Sequence, residues 1–290
     1  MSAVNQEILV DLPSICLNFP KPPKNEIRRD NFISTIESFF KGDSNIIFIE
    51  GEEGVGKTNI LSQFARKHSK KTISIFIEPT SRYAYEPIFL KRVFCEQLNW
   101  ILNNEPLEKK EIDNSYISLA IQQLSKKAKR EGDFFVIVDG LPDLPENKGR
   151  LTRFLLHDLV PTGFQGFKFI ITGNKENYED HIKKISNCKS LPISPFSLDE
   201  STKYLKQNST GQYNKNDFKE IHKMCEGVPG KLEIVSRMLN KNQSLNDLRS
   251  EKPDVLPEFI AIEWDQIKDS LSKTEREAIA IIAIVGFPES

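Results

Sequence analysis

Gly51-Glu52-Glu53-Gly54-Val55-Gly56-Lys57-Thr58 sets three glycines ahead of an ammonium and a hydroxyl. Clustered phosphates need several donors converging from one concave surface. Backbone with little side-chain bulk, at Gly51, Gly54 and Gly56, lets consecutive N–H groups turn inward, and Glu52, Glu53 and Val55 contribute through the main chain. A strand-like apolar run over 45–50 leads into this segment. A helical pattern over 59–67 leaves it, so the positive end of a helix, from Asn59 on, adds to the anion site. The spacing is that of a phosphate loop: Lys57 is placed to reach the β- and γ-phosphates of a nucleotide and Thr58 to coordinate Mg²⁺. The plain alternative is a Gly-rich turn beside a solvated lysine.

Such a site needs an acid to hold the metal through its water shell, at the end of a neighbouring strand. Phe134-Phe135-Val136-Ile137-Val138-Asp139 supplies it at Asp139. Hydrolysis also needs a group that orients the attacking water. Many ATPases carry glutamate directly after the metal acid. Here that position is Gly140, and Asp143, with Glu146 behind it, is the nearest carboxylate able to serve. Both also read as loop carboxylates beside Pro142 and Pro145, and slow turnover follows if neither is well placed. Lys57 and Asp143 are thus the expected catalytic residues. No guanine-reading N-K-x-D occurs, since Asn174-Lys175 runs on into Glu176-Asn177, so ATP or ADP with Mg²⁺ is the expected cofactor set. His68, His157, His181 and His222 are isolated and point to neither metal nor proton relay.

Positioning these groups takes a sheet. Strand candidates lie at 45–50, 73–77, 134–138, 167–172 and 189–193, separated by segments of helical period. Near-continuous apolar runs mark strands covered on both faces. Their alternation with helices points to a parallel sheet with right-handed crossovers, a three-layer α/β domain. The strand at 73–77 falls between the phosphate-loop strand and the Asp139 strand, which favours the additional-strand P-loop ATPases, with strand order 5-1-4-3-2, over the kinase and GTPase branch.

Residues 1–26, with Pro13, Pro20, Pro22 and Pro23, read as an extended lead-in, and 27–196 as the α/β domain, opening on a helix at 31–40. From Ser197 the pattern turns helical. Ser197 and Glu200 form a capping-box signature, and helices over 199–206, 216–225 and 231–240 make a lid domain of 197–252. Residues 253–290 read as two more helices, the last apolar nearly all round. Such a helix needs a partner, so the chain is expected to be the front of a longer protein, cut inside a third domain.

Composition narrows the class. With 38% hydrophobic and 28% charged residues the chain is neither disordered nor collagen-like. Its 40 basic and 41 acidic side chains cancel to −1, so bulk charge gives no argument for nucleic acid, which would need a local patch. Cys16, Cys95, Cys188 and Cys225 stand far apart without metal-ligand spacing, as in a reduced, cytoplasmic protein. No basic-then-apolar leader is visible. The longest apolar tract, 278–287, stops about ten residues short of a bilayer span, so no membrane partner is expected.

With these motifs the chain resembles the STAND class of signalling ATPases, related to AAA+ proteins, which includes the NACHT and NB-ARC domains. The G-E-E-G-V-G-K-T loop, V-D-G-L-P-D at 138–143, F-K-F-I-I-T-G-N at 167–174 and C-E-G-V-P-G at 225–230 carry the likeness in order. It extends over 27–290, because 264–287 resembles the opening of a winged-helix domain. The likeness implies that Pro229 of the G-x-P motif packs near the nucleotide. It also implies that Thr172 or Asn174 senses the γ-phosphate, since Thr172-Gly173-Asn174 lacks the arginine of a T-[ST]-R ending. Ile27-Arg28-Arg29-Asp30 is similar to the family's G-R-E-like opening segment, with Arg29 fitting its arginine and Arg28 replacing its glycine. Each has a bland alternative: an interhelical turn at 227–230, a strand end and turn at 172–174, solvated side chains at Arg28 and Arg29. Arg150 and Arg153 either face solvent or reach a neighbour's nucleotide.

The resemblance implies a nucleotide-gated switch in which ATP, held between the α/β domain and the lid, ties the two together. Only the γ-phosphate with Mg²⁺ differs between ATP and ADP states, so the shift must come from contacts to it. The ATP state is expected to open and form a homo-oligomer, relaying an unknown trigger ligand or protein to an effector outside these residues. Defence against pathogens or phage and cell-death signalling are common settings. Two competing readings are a DNA-handling AAA+ ATPase of the origin-recognition type and a non-catalytic scaffold that keeps its nucleotide, the latter raised by Gly140.

Overall fold

The apolar runs become five parallel strands of one sheet in a computed structural model. It describes residues 16, 19–77, 86–108, 112–141, 149–178, 187–211 and 213–240, with scattered positions from 245 to 279. Along the chain come helix α1 (Asp30–Lys41), strand β1 (Ile46–Glu50), helix α2 (Lys57–Lys67) and strand β2 (Thr72–Phe76). Helices α3 (Pro87–Asn103) and α4 (Asn114–Glu131) precede strand β3 (Phe134–Asp139). Helix α5 (Gly149–Arg153) passes into a π-helical turn (Phe154–Leu159), followed by β4 (Phe167–Thr172) and β5 (Cys188–Pro192).

The strand order is β2-β3-β4-β1-β5, the expected 5-1-4-3-2 read from the other edge. β4 therefore lies between the phosphate-loop strand and the Asp139 strand, and all four ladders are parallel. β1, β2 and β4 are buried throughout or nearly so, as strands covered on both faces must be. β5 is the exception, half-exposed and polar, which suits an edge. Phe48, Phe94, Phe134 and Phe169 lose nearly all exposure in one core with Ile73, Leu124 and Leu155. Truncating one such phenylalanine to alanine costs about 3–5 kcal/mol.

Two polar side chains inside this domain have structural work that periodicity does not announce. β2 is the other edge, and Gln97 of α3 closes it: Gln97 Oε1 accepts the Ser74 N–H and Gln97 Nε2 donates to the Ser74 carbonyl, each at 2.8 Å. The amide thus stands in for a missing strand neighbour. At the start of β4, Lys168 is 8% exposed, its Nζ donating to Ser44 O at 3.0 Å and Asn45 Oδ1 at 2.8 Å.

The chain divides into two compact units, one of Met1–Pro22, Arg29–Glu50 and Lys57–Pro192, the other of Pro23–Arg28, Gly51–Gly56 and Ile193–Ser290. The second unit contains helices α6 (Leu198–Asn208), α7 (Lys215–Met224) and α8 (Pro229–Asn240) around Leu205, Ile221, Cys225, Leu232, Val235 and Met238. The Ser197/Glu200 capping box is formed, and a second one, Asn214 with Asp217, opens α7. α8 starts at Pro229, two residues ahead of the periodic pattern, because proline suits a first helical turn, where its missing N–H has no partner to lose. The expected turn at 227–230 is therefore half turn, half helix. Likewise α2 starts at Lys57, so Lys57 and Thr58 belong to a helix's first turn. The expected winged-helix opening at 253–290 lies largely outside the described residues. Among the described residues no helix is long and apolar enough to cross a membrane.

Candidate functional site

Within the α/β unit, β1 and β3 deliver their final residues to the same end of the parallel sheet. Asp139, the last residue of β3, is 5% exposed. Thr58 Oγ1, in the first turn of α2, donates to Asp139 Oδ2 at 2.6 Å. The Asp139 main chain is gripped on both sides: its carbonyl accepts the Ile77 N–H at 2.9 Å, and the next N–H, of Gly140, donates to Thr172 Oγ1 at 3.1 Å. A carboxylate beside a hydroxyl is a pair of hard oxygen donors. Among the described residues no group of three or more His, Cys, Asp or Glu could cage a metal by itself. The Thr58–Asp139 oxygen pair fits Mg²⁺, which keeps several waters and takes one or two protein oxygens together with phosphate.

Gly140 is not an ordinary loop glycine. Its φ is +88°, and a Cβ there would stand 2.2 Å from the Ile77 carbonyl oxygen. The position that holds a water-orienting glutamate in many ATPases thus has room here for no side chain. Asp143 and Glu146 lie outside the described residues.

Within the helical unit, the loop Gly51–Gly56 is shaped by Gly54 at φ +76° and Gly56 at φ +96°, backbone that side chains rarely adopt. Val55 is buried, while Gly51, Glu52 and Glu53 are exposed. The Gly230 N–H, in the first turn of α8, donates to the Gly54 carbonyl at 2.9 Å. Pro229 Cγ lies 3.8 Å from where a Cβ on Gly56 would stand. Sequence reasoning singled out Pro229 and passed over Gly230. The available signal was its place in a helix's first turn, where backbone N–H groups have no intrahelical acceptor.

Asn59 Oδ1 accepts from Gln63 Nε2 at 2.9 Å, and Gln63 Oε1 accepts the Arg29 N–H at 3.1 Å, so a buried glutamine links Asn59 to Arg29. The Arg29 guanidinium lies over the Phe32 ring, 5.9 Å from its centroid, and Arg28 is exposed. Thr172 is fully buried. Asn174 is exposed and caps the short helix Lys175–Asn177, its Oδ1 accepting the Glu176 N–H at 3.0 Å. Between them Gly173, at φ +125°, sits under Tyr178, whose ring would be 2.4 Å from a Cβ there. Arg150 and Arg153 are exposed on α5.

A family described as an ATPase domain predominantly from Archaea matches residues 27–235. No curated protein sequence matches the chain. Among solved structures, a Walker-type ATPase of Pyrococcus abyssi aligns with TM-score 0.56 at 16% identity, covering 88% of this chain and 80% of that one. A Signal Transduction ATPase with Numerous Domains (STAND) protein with a tetratricopeptide repeat sensor, from Pyrococcus horikoshii, aligns with TM-score 0.53 at 13% identity. It matches 92% of this chain, which spans only 36% of that protein. Cdc6p from Pyrobaculum aerophilum aligns with TM-score 0.51 at 12% identity over 89% of this chain and 70% of its own. At these identities the likeness is one of fold.

Proposed function

The chain belongs to the family of ATPase domains found predominantly in Archaea, and from that premise we propose that it is a STAND-type molecular switch that binds ATP and hydrolyses it slowly. Residues 51–59 form the phosphate cradle, in which exposed Glu52 and Glu53 and buried Val55 take part through their main chain. Lys57 bears on the β- and γ-phosphates and acts in catalysis, Thr58 and Asp139 hold Mg²⁺, and Asp143 orients water. When bound, Mg²⁺ neutralises charge on the phosphate oxygens during transfer. Arg29, Asn174 and Pro229 complete the nucleotide contacts, and Thr172 stands at the same strand end.

The observation that carries the switch reading is the 2.9 Å hydrogen bond from Gly230 N–H to the Gly54 carbonyl. Any turn of the Gly54 peptide toward incoming phosphate changes the acceptor on which the first turn of α8 rests. On this reading nucleotide state alters a contact inside the helical unit at a named bond. In the ATP state the protein self-assembles into a homo-oligomer, and a trigger and an effector outside these residues complete a signalling pathway, with defence or cell death as the setting. On this reading the location is cytoplasmic, in keeping with four cysteines that stand far apart in the sequence. Light scattering of the chain with ADP and with a non-hydrolysable ATP analogue tests this: assembly only with the analogue is expected, and identical mass in both sinks the switch.

Fold likeness to Cdc6p supports a second reading, a DNA-handling ATPase of the origin-recognition type. Strongly salt-dependent affinity for duplex DNA would favour it. The geometry at Gly140 favours a third, a scaffold that keeps its nucleotide, which bound ADP without any turnover would support.

A further inference from the structure

The β3 exit holds an arrangement that the phosphate site alone does not require. The Asp139 carboxylate accepts from Thr58 Oγ1, and the peptide that follows Asp139 is itself held on both sides. On one side Asp139 O accepts from Ile77 N–H of the chain leaving β2, at 2.9 Å, and on the other Gly140 N–H donates to Thr172 Oγ1 at the end of β4, at 3.1 Å. Gly140, at φ +88°, is pressed so close to the Ile77 carbonyl that a Cβ would stand 2.2 Å from it. The Asp139–Gly140 peptide is therefore clamped between strands on both sides, and Thr172, with no exposed surface, supplies one jaw.

We propose that Thr172 is a positioning residue for the metal ligand Asp139: its buried hydroxyl, by holding the Gly140 N–H, fixes the Asp139 carboxylate in the orientation that meets Thr58 and Mg²⁺. This rests on the nucleotide-site reading above and refines it, since it moves Thr172 from sensing the γ-phosphate to orienting the metal acid. The physical reason is that a buried N–H deprived of its acceptor is strongly unfavourable, so the Gly140 peptide turns to find another, and Asp139 turns with it. Groups that orient a ligand typically alter metal affinity by about 10–100-fold when removed.

The test measures affinity of the full chain for ADP and for a non-hydrolysable ATP analogue, each with Mg²⁺ and in excess chelator. In Thr172→Val the gain in affinity conferred by Mg²⁺ is expected to fall about tenfold or more, with affinities in chelator unchanged, and Thr172→Ser is expected to restore the gain. Should the valine variant not fold, Thr172→Ala carries the same expectation. An undiminished Mg²⁺ gain in the variants overturns the inference while leaving the nucleotide site intact. So does loss of the preference for the ATP analogue over ADP in chelator, which would return Thr172 to γ-phosphate sensing. A wild-type chain that binds neither nucleotide under either condition overturns the site reading, and this inference with it.

Discussion

Thr58 and Asp139, 81 residues apart in the chain, meet through a 2.6 Å hydrogen bond from hydroxyl to carboxylate. Each hangs on a different element, the first turn of α2 and the last residue of β3, and β4 separates β3 from the strand that feeds α2. The bond pairs two hard oxygens in a preformed arrangement, which lowers the ordering needed when a cation arrives.

Lys57→Ala is expected to abolish nucleotide binding, and with it the thermal stabilisation given by Mg-ATP. Binding stabilises the folded state by about 2.7 kcal/mol when ligand is at a hundred times its Kd. Differential scanning with and without Mg-ATP reads the difference directly. An equal shift in wild type and variant removes Lys57 from the site.

Asp143→Asn is expected to slow turnover while sparing nucleotide affinity, because a water-orienting carboxylate acts on the reacting group and not on the bound phosphates. Steady-state hydrolysis and equilibrium binding, run side by side, separate the two. Parallel loss of both would assign Asp143 to structure.

Gly140→Ala is expected to destabilise the α/β unit by at least about 1–3 kcal/mol, since φ +88° and a 2.2 Å approach to Ile77 O combine backbone strain with a clash. Urea unfolding should show a lower midpoint with unchanged slope. For the same reason Gly140→Glu is not expected to speed hydrolysis; faster turnover in that variant would contradict the geometry.

Lys168→Met keeps an unbranched apolar stem but removes the donor to Ser44 O and Asn45 Oδ1. Leaving acceptors unsatisfied in a largely buried position costs about 1–3 kcal/mol. A drop of that size in unfolding free energy is expected, and a more stable variant would mean that the ammonium's desolvation outweighs its hydrogen bonds.

Acid should weaken the packing of α1 on α2 through Glu37. Burial raises its carboxyl pKa, but hydrogen bonds and charge from Lys67 and His68 outweigh that and hold it below the ordinary 4.5. A carboxylate depressed in the folded state contributes stability that is present above its unfolded pKa and is lost as pH falls through the folded value. Stability should therefore decline below about pH 4.5, and Glu37→Gln should make that decline shallower. Identical pH profiles for the two proteins would remove Glu37 from the account.

Much of this was legible before any coordinates. Apolar runs such as 46–49 and 169–171 are too continuous for half-buried strands, and helical segments between them demand crossovers, so the parallel sheet could be argued from pattern, whereas its order came from likeness to the additional-strand P-loop ATPases. Helix starts were less legible. Period marks the buried face of α2 and α8, whereas Lys57, Thr58, Pro229 and Gly230 occupy first turns whose partners are not helical neighbours.

By itself the sequence determined the phosphate-loop spacing, the alternation of strands and helices and the acid that ends the third strand, because these depend on residue type at short separation. Only the tertiary structure decided that Gly140 can carry no side chain, that Thr172 holds the Gly140 N–H, that Lys168 is buried and that Gly230 rests on Gly54. Each depends on the distance between atoms far apart along the chain. No local period encodes such a distance; packing of neighbouring elements sets it.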